Sequence, residues 1–139
     1  MILLDTNVVA ALMQRRPDPA VVRWLDRQPV HTVWLPILVV FELRYAVALH
    51  PDASRRRRLD AALDALLEQV IEERIAPLDG VAAQEAALLA ARRQARGRPL
   101  DLRDTLLAGI ALARGALLAT AHRDRFRDIQ IGLIDPFAF

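Results

Sequence analysis

Short apolar runs alternate along this chain with longer segments in which apolar residues recur every three or four positions. The short runs are typical of buried strands, and the longer segments have the period of amphipathic helices. Strands that alternate with helices form parallel sheets covered by helices on both faces. The sequence therefore predicts an α/β fold, a Rossmann-like α/β/α sandwich with a central parallel sheet, in a single domain over residues 1–139. The expected strands are 2–4, 32–35, 75–78, 116–120 and 131–134.

Six helices are expected between these strands, with ends set by capping residues, glycines and prolines. The longest has an apolar stripe of period 3.6 from Leu59 to Ile71. The expected helices are 8–15, 20–27, 37–49, 54–74, 81–96 and 102–114. The residues expected to start or end them are Thr6 or Asn7, Ser54, Gly97 with Pro99, Asp101, and Gly115.

The composition excludes several kinds of protein. With 54% hydrophobic and 26% charged residues, the chain is an ordinary folded globule. It has no cysteine, which excludes disulfides, thiolate metal sites and cysteine nucleophiles and fits a cytoplasmic protein. We expect no signal peptide and no membrane span, because the best apolar run, 33–41, is interrupted by Pro36 and a span needs about 20 residues.

Polar residues follow two of the predicted strands directly. Asp5 comes immediately after the first apolar run, and Thr120, His122 and Asp124 follow the fourth strand. In open parallel sheets, binding sites form just beyond the carboxyl ends of the strands. We therefore expect these side chains to face one crevice, although the second group also suits a polar loop with a helix cap.

Two further acids lie on helix faces that are otherwise apolar or small. The helical neighbours of Glu42 are all expected on a buried face, namely Leu38, Val39, Tyr45, Ala46 and Leu49. A carboxylate there must pair with a metal ion or with Arg44 or another arginine. Asp104 precedes small and apolar residues at the same spacing, although an acid in a first helical turn is also favoured by capping.

Carboxylates gathered at one sheet edge repel one another unless a cation lies between them. An all-oxygen ligand set suits Mg²⁺ or Mn²⁺ rather than Zn²⁺. Mg²⁺ held by few carboxylates keeps room for water and for phosphate oxygens. The pattern therefore indicates metal-assisted hydrolysis of phosphodiester bonds.

Four segments together resemble a known family. They are MILLDTNVV at the start, VVFELRYAVAL around Glu42, LRDTLLAGIALARG around Asp104, and LLATAHRDRF followed by IDPF at the end. In this order and spacing the chain resembles a PIN-domain ribonuclease, most closely the VapC/FitB-like toxins of bacterial toxin–antitoxin pairs. The resemblance covers nearly the whole length of the chain.

The resemblance implies an RNA-cleaving enzyme of the PIN-like α/β/α fold. It implies that Asp5, Glu42 and Asp104 form the acidic core that binds Mg²⁺ or Mn²⁺, with the hydroxyls of Thr6 and Thr120 lining the site. It also implies a homodimer, and a small antitoxin that inserts a segment into the active-site groove.

One position departs from the family pattern. Many relatives carry Asp or Asn two residues after the threonine that ends the fourth strand, and here that residue is His122. Either Asp124 replaces this fourth acid, or His122 itself binds the metal or the substrate phosphate. The departure leaves one or two metal ions as open alternatives.

The expected mechanism assigns a role to each group. Asp5 and Asp104 hold the principal metal ion, and Glu42 orients or deprotonates the attacking water or completes the ligand set. Nearby arginines are candidates for clamping backbone phosphates, and the alternative is that they pair with the same acids. These arginines are Arg44, Arg103, Arg123 and Arg125.

Two other functions compete with this one. A phosphohydrolase that forms an aspartyl phosphate on Asp5 usually has a second acid at the position of Asn7 and a later lysine, and this chain has no lysine. A catalytically weak PIN fold that only binds RNA or protein fits the change at His122, but all three main acids are present.

Overall fold

A computed structural model of the protein describes residues 1–98 and 101–139. Within these residues, five parallel strands form one sheet in the order β3-β2-β1-β4-β5, which confirms the α/β class and the parallel sheet. The first two strands have their predicted lengths, whereas the other three are shorter, because only part of each apolar run pairs in the sheet. They are β1 Ile2–Leu4, β2 Val33–Pro36, β3 Ile75–Ala76, β4 Leu117–Ala119 and β5 Leu133–Ile134.

Six α-helices accompany the sheet in the described residues, as the sequence predicts. Right-handed crossovers place α1 to α4 on one face of the sheet, and α5 and α6 on the other, because the strand order reverses at β1. The helices are α1 Thr6–Leu12, α2 Pro19–Asp26, α3 Ile37–Ala48, α4 Ala53–Ala65, α5 Gly80–Ala95 and α6 Leu102–Arg114.

Aspartates start most of these helices. The side chains of Asp18, Asp52, Asp79 and Asp101 accept backbone N–H groups in the first turns of α2, α4, α5 and α6. Asp101 is the expected cap, whereas Ser54 lies inside α4 and donates its N–H to Asp52. A carboxylate also interacts favourably with the positive end of a helix dipole, so it competes well with a hydroxyl for this position.

The predicted long helix from 54 to 74 is interrupted. Its α-helical part ends at Ala65, a π-helical turn covers Leu66–Ile71, and Glu72 and Glu73 have positive φ angles of 50° and 65°. A π-helical turn contains more residues than an α-helical turn and shifts the phase of the apolar stripe. As a result the chain turns back into β3 instead of continuing as a helix.

Helix α6 packs very closely on α5. A Cβ atom added at Gly109 would lie 2.6 Å from the Ala82 carbonyl oxygen, so this contact requires glycine. The end of α6 is closed by Gly115 at φ 58°, as predicted, and Gly97 beyond α5 is also left-handed at φ 70°. The expected helix stop at Pro99 lies outside the described residues.

The core surrounds the central strand β1, whose three residues are all buried. Because the strand order reverses between β1 and β4, the carboxyl ends of these two neighbours border a crevice. No helix in the described ranges is long and apolar enough to span a bilayer.

Candidate active site

Asp5 lies at the carboxyl end of β1 and caps α1, so it serves the fold and the site together. It is only 1% exposed. Its Oδ1 accepts the N–H of Thr6 at 2.7 Å, and its Oδ2 accepts the hydroxyl of Thr120 at 2.8 Å and the amide of Asn7 at 3.1 Å. These donors fix the orientation of a buried carboxylate at the sheet edge.

Thr120 joins the ends of β1 and β4. Its buried hydroxyl donates to Asp5 and accepts the backbone N–H of His122 at 3.0 Å. The side chain of Asn7 reaches across the same gap and accepts the N–H of Ala121 at 3.0 Å. The sequence predicts Thr6 or Asn7 as the cap of the first helix, but Asp5 caps α1 and Asn7 holds both strand ends instead. The place of Asn7 two residues after Asp5 is the signal for this role.

Asp104 lies in the first turn of α6. It takes part in the capping of this helix and it also faces the site, so both interpretations of its position hold. Its N–H donates to the Asp101 side chain at 3.0 Å, and the residue is buried. The close contact of α6 with α5 fixes the start of this helix and points the carboxylate at the crevice beside Asp5.

Glu42 lies in the middle of α3 and is half-buried. Its Oε1 accepts the hydroxyl of Thr6 at 2.9 Å, which connects α3 to the start of α1. The expectation that all its helical neighbours are buried was wrong, because Tyr45, Ala46 and Leu49 are exposed. Glu42 therefore lies at the boundary between the buried and exposed faces of α3.

The guanidinium of Arg103 lies between the three carboxylates. Its Nη1 donates to Asp104 Oδ1 at 2.9 Å, its Nη2 contacts Asp5 Oδ1, and its Nη2 and Nε donate to Glu42 Oε1 at 2.8 and 3.0 Å. The same Nη2 also lies 3.1 Å from the hydroxyl of Thr6. Arg103, not Arg44, is therefore the arginine that pairs with Glu42.

Burial and charge act in opposite directions on this guanidinium. Burial lowers the pKa of Arg103, but hydrogen bonds to Glu42 and Asp5 and the charges around it outweigh burial and raise the pKa above its ordinary value. The group is therefore always a cation, and it neutralises part of the negative charge of the site.

The chemistry of the site fits a hard divalent cation. Three carboxylates from β1, α3 and α6 already converge on one positive charge, and their oxygens are the ligands that Mg²⁺ and Mn²⁺ prefer. With Arg103 between them, the described part of the chain contains no group of three acidic or histidine side chains arranged to hold a metal ion. The chemistry of the donor set therefore fits such an ion, and in this structure the cation that the three carboxylates share is the guanidinium of Arg103.

The loop after β4 contributes less than expected. His122, Arg123 and Asp124 are all exposed, and in the described residues none of their side chains forms a hydrogen bond or salt bridge with Asp5 or Asp104. Arg125 comes nearest, with Nη1 3.9 Å from Asp104 Oδ2. The structure thus does not bring Asp124 into the acidic cluster.

Arg44 points away from the cluster. Its guanidinium pairs with Asp60 at 3.3 Å and Asp64 at 2.6 Å on α4. These acids belong to the row that the sequence places on the polar face of the long helix. Arg44 therefore joins α3 to α4 outside the site.

Arg93 forms a buried ion pair that the sequence analysis missed. Its Nε and Nη2 each donate to Asp128 at 2.9 Å, and its Nη2 also donates to the Arg125 carbonyl at 3.2 Å. The hydrogen bond and charge of Arg93 hold the pKa of Asp128 below its usual value. The signal was present, since Arg93 continues the buried spacing of Ala86 and Leu89 along α5.

Arg93, but not Asp128, lines a polar cleft of about 350 Å³ beside Asp104. Arg98 also pairs with Asp128, at 2.9 Å, and Arg125 faces the same cleft. Three arginines and two aspartates thus line a groove that begins at the acidic cluster, and the excess of side-chain charge in it is positive.

Comparisons with known proteins agree with this geometry. The sequence profile of the family described as PIN domain matches residues 2–131. VapC ribonuclease Y4jK of Sinorhizobium fredii is 32% identical over 137 residues, which are 99% of this chain and 98% of the relative. Toxin FitB of Neisseria gonorrhoeae is 28% identical, with 99% of each chain covered.

The same similarity extends to three dimensions. The solved structure of FitAB bound to the IR36 DNA fragment matches with a TM-score of 0.89 and 27% identity, and it covers 99% of this chain and 96% of that one. Structural relatives of this chain are thus found in toxin–antitoxin assemblies, some of them bound to DNA.

Proposed function

This chain belongs to the PIN-domain family, as the resemblance in its sequence predicts, and we propose that it is a metal-dependent endoribonuclease that acts as the toxin of a toxin–antitoxin pair. The observation that carries the proposal is the convergence of Asp5, Glu42 and Asp104 on one cation at the carboxyl end of the sheet. The full-length similarity to a VapC ribonuclease supports the same activity. The functional unit is the single domain over residues 1–139.

Asp5 and Asp104 are the residues proposed to hold Mg²⁺ or Mn²⁺, because both carboxylates are buried and rigidly held. Such an ion, when bound, polarises a phosphoryl oxygen and stabilises the charge that develops on it. Glu42 is more exposed and accepts the Thr6 hydroxyl, so it is suited to orient or deprotonate the attacking water, or to complete the ligand set.

The threonines act through the acids. Thr6 contacts Glu42 and Arg103, and Thr120 donates to Asp5, so both hydroxyls line the place where a scissile phosphate would lie. We propose that both hydroxyls hold the carboxylates in position. Thr120 is fully buried and acts only in this way, whereas the partly exposed Thr6 can also reach the substrate backbone.

The RNA backbone is proposed to follow the positive cleft beside Asp104. Arg125 and Arg98 line that cleft, and guanidinium groups bind phosphates in a bidentate manner. The exposed His122 and Arg123 extend this surface past the end of β4, and Asp124 supplies an acid there if a second ion enters. For Arg44, which Asp60 and Asp64 hold, we propose a structural role.

An antitoxin is the proposed protein partner, acting with the chain in the cytoplasm, where its RNA substrate is found. A largely apolar groove of about 270 Å³ opens between α1, α2 and the π-helical turn. Val30 and Val70 on its rim are exposed apolar side chains. An apolar segment of a small protein fits this groove, and Asp26 in its lining is a partner for one basic side chain of that segment.

A second copy of this chain is the other proposed partner. Along α3, four exposed apolar side chains recur every four residues and form one stripe. A helix that crosses its own two-fold copy buries such a stripe twice, which is the geometry of an isologous dimer. The stripe consists of Ile37, Phe41, Tyr45 and Leu49.

The test is cleavage of a structured RNA mixture by antitoxin-free protein in Mg²⁺, Mn²⁺ or EDTA. Wild-type protein is expected to cut only with metal, and Asp5→Asn is expected to lose activity by about 100-fold or more, as for loss of a principal catalytic group. Glu68→Gln, an exposed acid on the π-helical turn, is the control and should cut normally. Unfolding curves establish that each variant is folded.

Two outcomes contradict the proposal. Cutting that survives EDTA or Asp5→Asn points to a contaminating nuclease. A folded wild-type protein that neither cuts RNA nor binds Mn²⁺ in calorimetry favours the other candidate, a catalytically weak PIN fold that binds RNA or protein. The exposed position of Asp124, outside the acidic cluster, is the observation that favours this alternative.

A further inference from the structure

Arg103 makes the contacts that a cation in this site would make. One guanidinium touches a carboxylate oxygen from each of Asp5, Glu42 and Asp104. These acids come from three different elements, and Arg103 immediately precedes one of them in α6. An arginine that only stabilised a surface would not need to meet all three acids of the site.

The position of this side chain also allows it to leave. Asp5 is 1% exposed, whereas the side chain of Arg103 is 28% exposed, so part of this side chain lies at the surface. Arginine is less strongly hydrated than an ammonium group but carries a long flexible stem. The guanidinium can therefore swing out of the cluster while the buried carboxylates stay in place.

We propose that Arg103 is an internal cation that competes with the divalent metal ion for the acidic cluster, so that the ion binds only as the guanidinium withdraws. This inference rests on the proposed metal-dependent function. It assigns Arg103 the role of a positioning residue that sets the metal affinity of the site.

The physical reason is electrostatic. Three carboxylates this close together repel one another, and without a cation they destabilise the folded chain or take up protons. The guanidinium compensates them in the metal-free protein, as any resident cation would. When two cations compete for one place, the second can bind only the molecules in which the place is free. Its apparent dissociation constant is therefore the intrinsic dissociation constant divided by the fraction of such molecules.

The consequence is that the protein is stable without metal but binds a divalent metal ion weakly. If Arg103 occupies the cluster in about 90–99% of molecules, its removal tightens metal binding about 10- to 100-fold. At the same time, its removal destabilises the metal-free protein, because the carboxylates lose their compensation.

The experiment is Mn²⁺ titration calorimetry on the full chain, purified in EDTA and then dialysed at pH 7, with wild type, Arg103→Gln and Arg103→Lys. We expect Arg103→Gln to bind Mn²⁺ at least about tenfold more tightly than wild type. Arg103→Lys should be intermediate, since an ammonium keeps the charge but cannot bridge three carboxylates. Arg57→Gln, an exposed arginine of α4, is the matched control and should bind as wild type does.

Thermal unfolding supplies a readout that is independent of activity. In EDTA, Arg103→Gln should unfold at a lower temperature than wild type, and saturating Mn²⁺ should raise its unfolding temperature by more than it raises that of wild type. If Arg103→Gln is too unstable without metal, the lysine variant must show both trends in smaller measure.

Equal or weaker Mn²⁺ binding by the glutamine and lysine variants overturns the inference. If wild type meanwhile binds Mn²⁺ and cuts RNA, the proposed function stands and only the competition by Arg103 is wrong. If no variant binds Mn²⁺ and wild type does not cut RNA, the proposed function fails and the inference fails with it.

Discussion

At the scale of single residues, the hydroxyl of Thr120 connects the site to the sheet. It donates to Asp5 Oδ2 at 2.8 Å and accepts the N–H of His122 at 3.0 Å, in a fully buried position. Asp5 is thus held by a residue 115 positions away along the chain. The orientation of the proposed metal ligand therefore depends on a neutral side chain.

We expect loss of the Thr120 hydroxyl to destabilise the folded protein more than loss of the Thr120 methyl group. Thr120→Val keeps the shape but removes a buried hydrogen bond to the carboxylate of Asp5, whose Oδ2 then keeps only the Asn7 amide. We expect a loss of about 1.5–3 kcal/mol in the free energy of unfolding, the range for a hydrogen bond to a charged group. Thr120→Ser keeps the hydroxyl and loses one buried methyl, at a cost of about 1 kcal/mol. Urea unfolding of both variants measures this order, and a serine variant less stable than the valine variant would show that methyl packing dominates.

The sequence predicts the acids of the site better than it predicts their partners. Asp5 and Asp104 are identified because a strand end and a small-residue helix face leave few places for a carboxylate to point. Pairing of the nearby arginines with these acids was one of two open alternatives, but the convergence of Arg103 on all three was not predicted. A long side chain can reach several partners, and sequence spacing does not choose among them. Asn7 was missed as a strand tether for the same reason.

At the scale of secondary-structure elements, an ion pair ties α5 to the segment after β4. Arg93 of α5 holds Asp128 with two hydrogen bonds of 2.9 Å, and the charge of Arg98 adds to it. The same arginine contacts the Arg125 carbonyl, so it sets the position of one wall of the cleft. The pair is therefore both a structural link and a support for the proposed RNA path.

The stability supplied by this pair should depend on pH below about 4. The folded state lowers the pKa of Asp128, so its contribution is present above the unfolded value of about 3.9 and is lost as pH falls through the folded pKa. At pH 7, Asp128→Asn should lower the free energy of unfolding by about 3 kcal/mol, because Arg93 is left buried with a neutral partner. Urea unfolding from pH 7 to pH 3 should show the two proteins converging, and a constant difference would mean that ionisation of Asp128 is unimportant.

Element order and type follow from the sequence because short apolar runs and helical periods differ clearly. The end of α4 cannot be predicted in this way, since Leu66, Leu67 and Val70 continue the apolar stripe of the sequence through the π-helical turn. The left-handed residues Glu72 and Glu73 that end it carry no glycine or proline signal. Tertiary packing of β3 beside β2 therefore decides this boundary against local propensity.

At the scale of the whole molecule, the stripe on α3 lies next to the proposed catalytic glutamate. Phe41 and Tyr45 flank Glu42 and Arg44 along the helix, and their rings stack with centroids 5.9 Å apart. They are 63% and 57% exposed in one copy. Stable interfaces bury about 800 Å² on each partner around aromatic anchors, and this stripe supplies such anchors.

The proposed dimer should therefore depend on these two rings. Phe41→Glu/Tyr45→Glu is expected to convert a dimer into a monomer in sedimentation velocity, because burying two carboxylates opposite their symmetry copies is strongly unfavourable. The monomer itself should keep its stability to within about 0.5 kcal/mol for each change, since both side chains already face solvent. Leu88→Glu places the same charge on an exposed apolar residue of α5 and should leave the dimer intact. A dimer that survives the double variant but dissociates in Leu88→Glu would place the interface on α5. A wild-type protein that stays monomeric at high concentration would contradict the proposal of a second copy as partner.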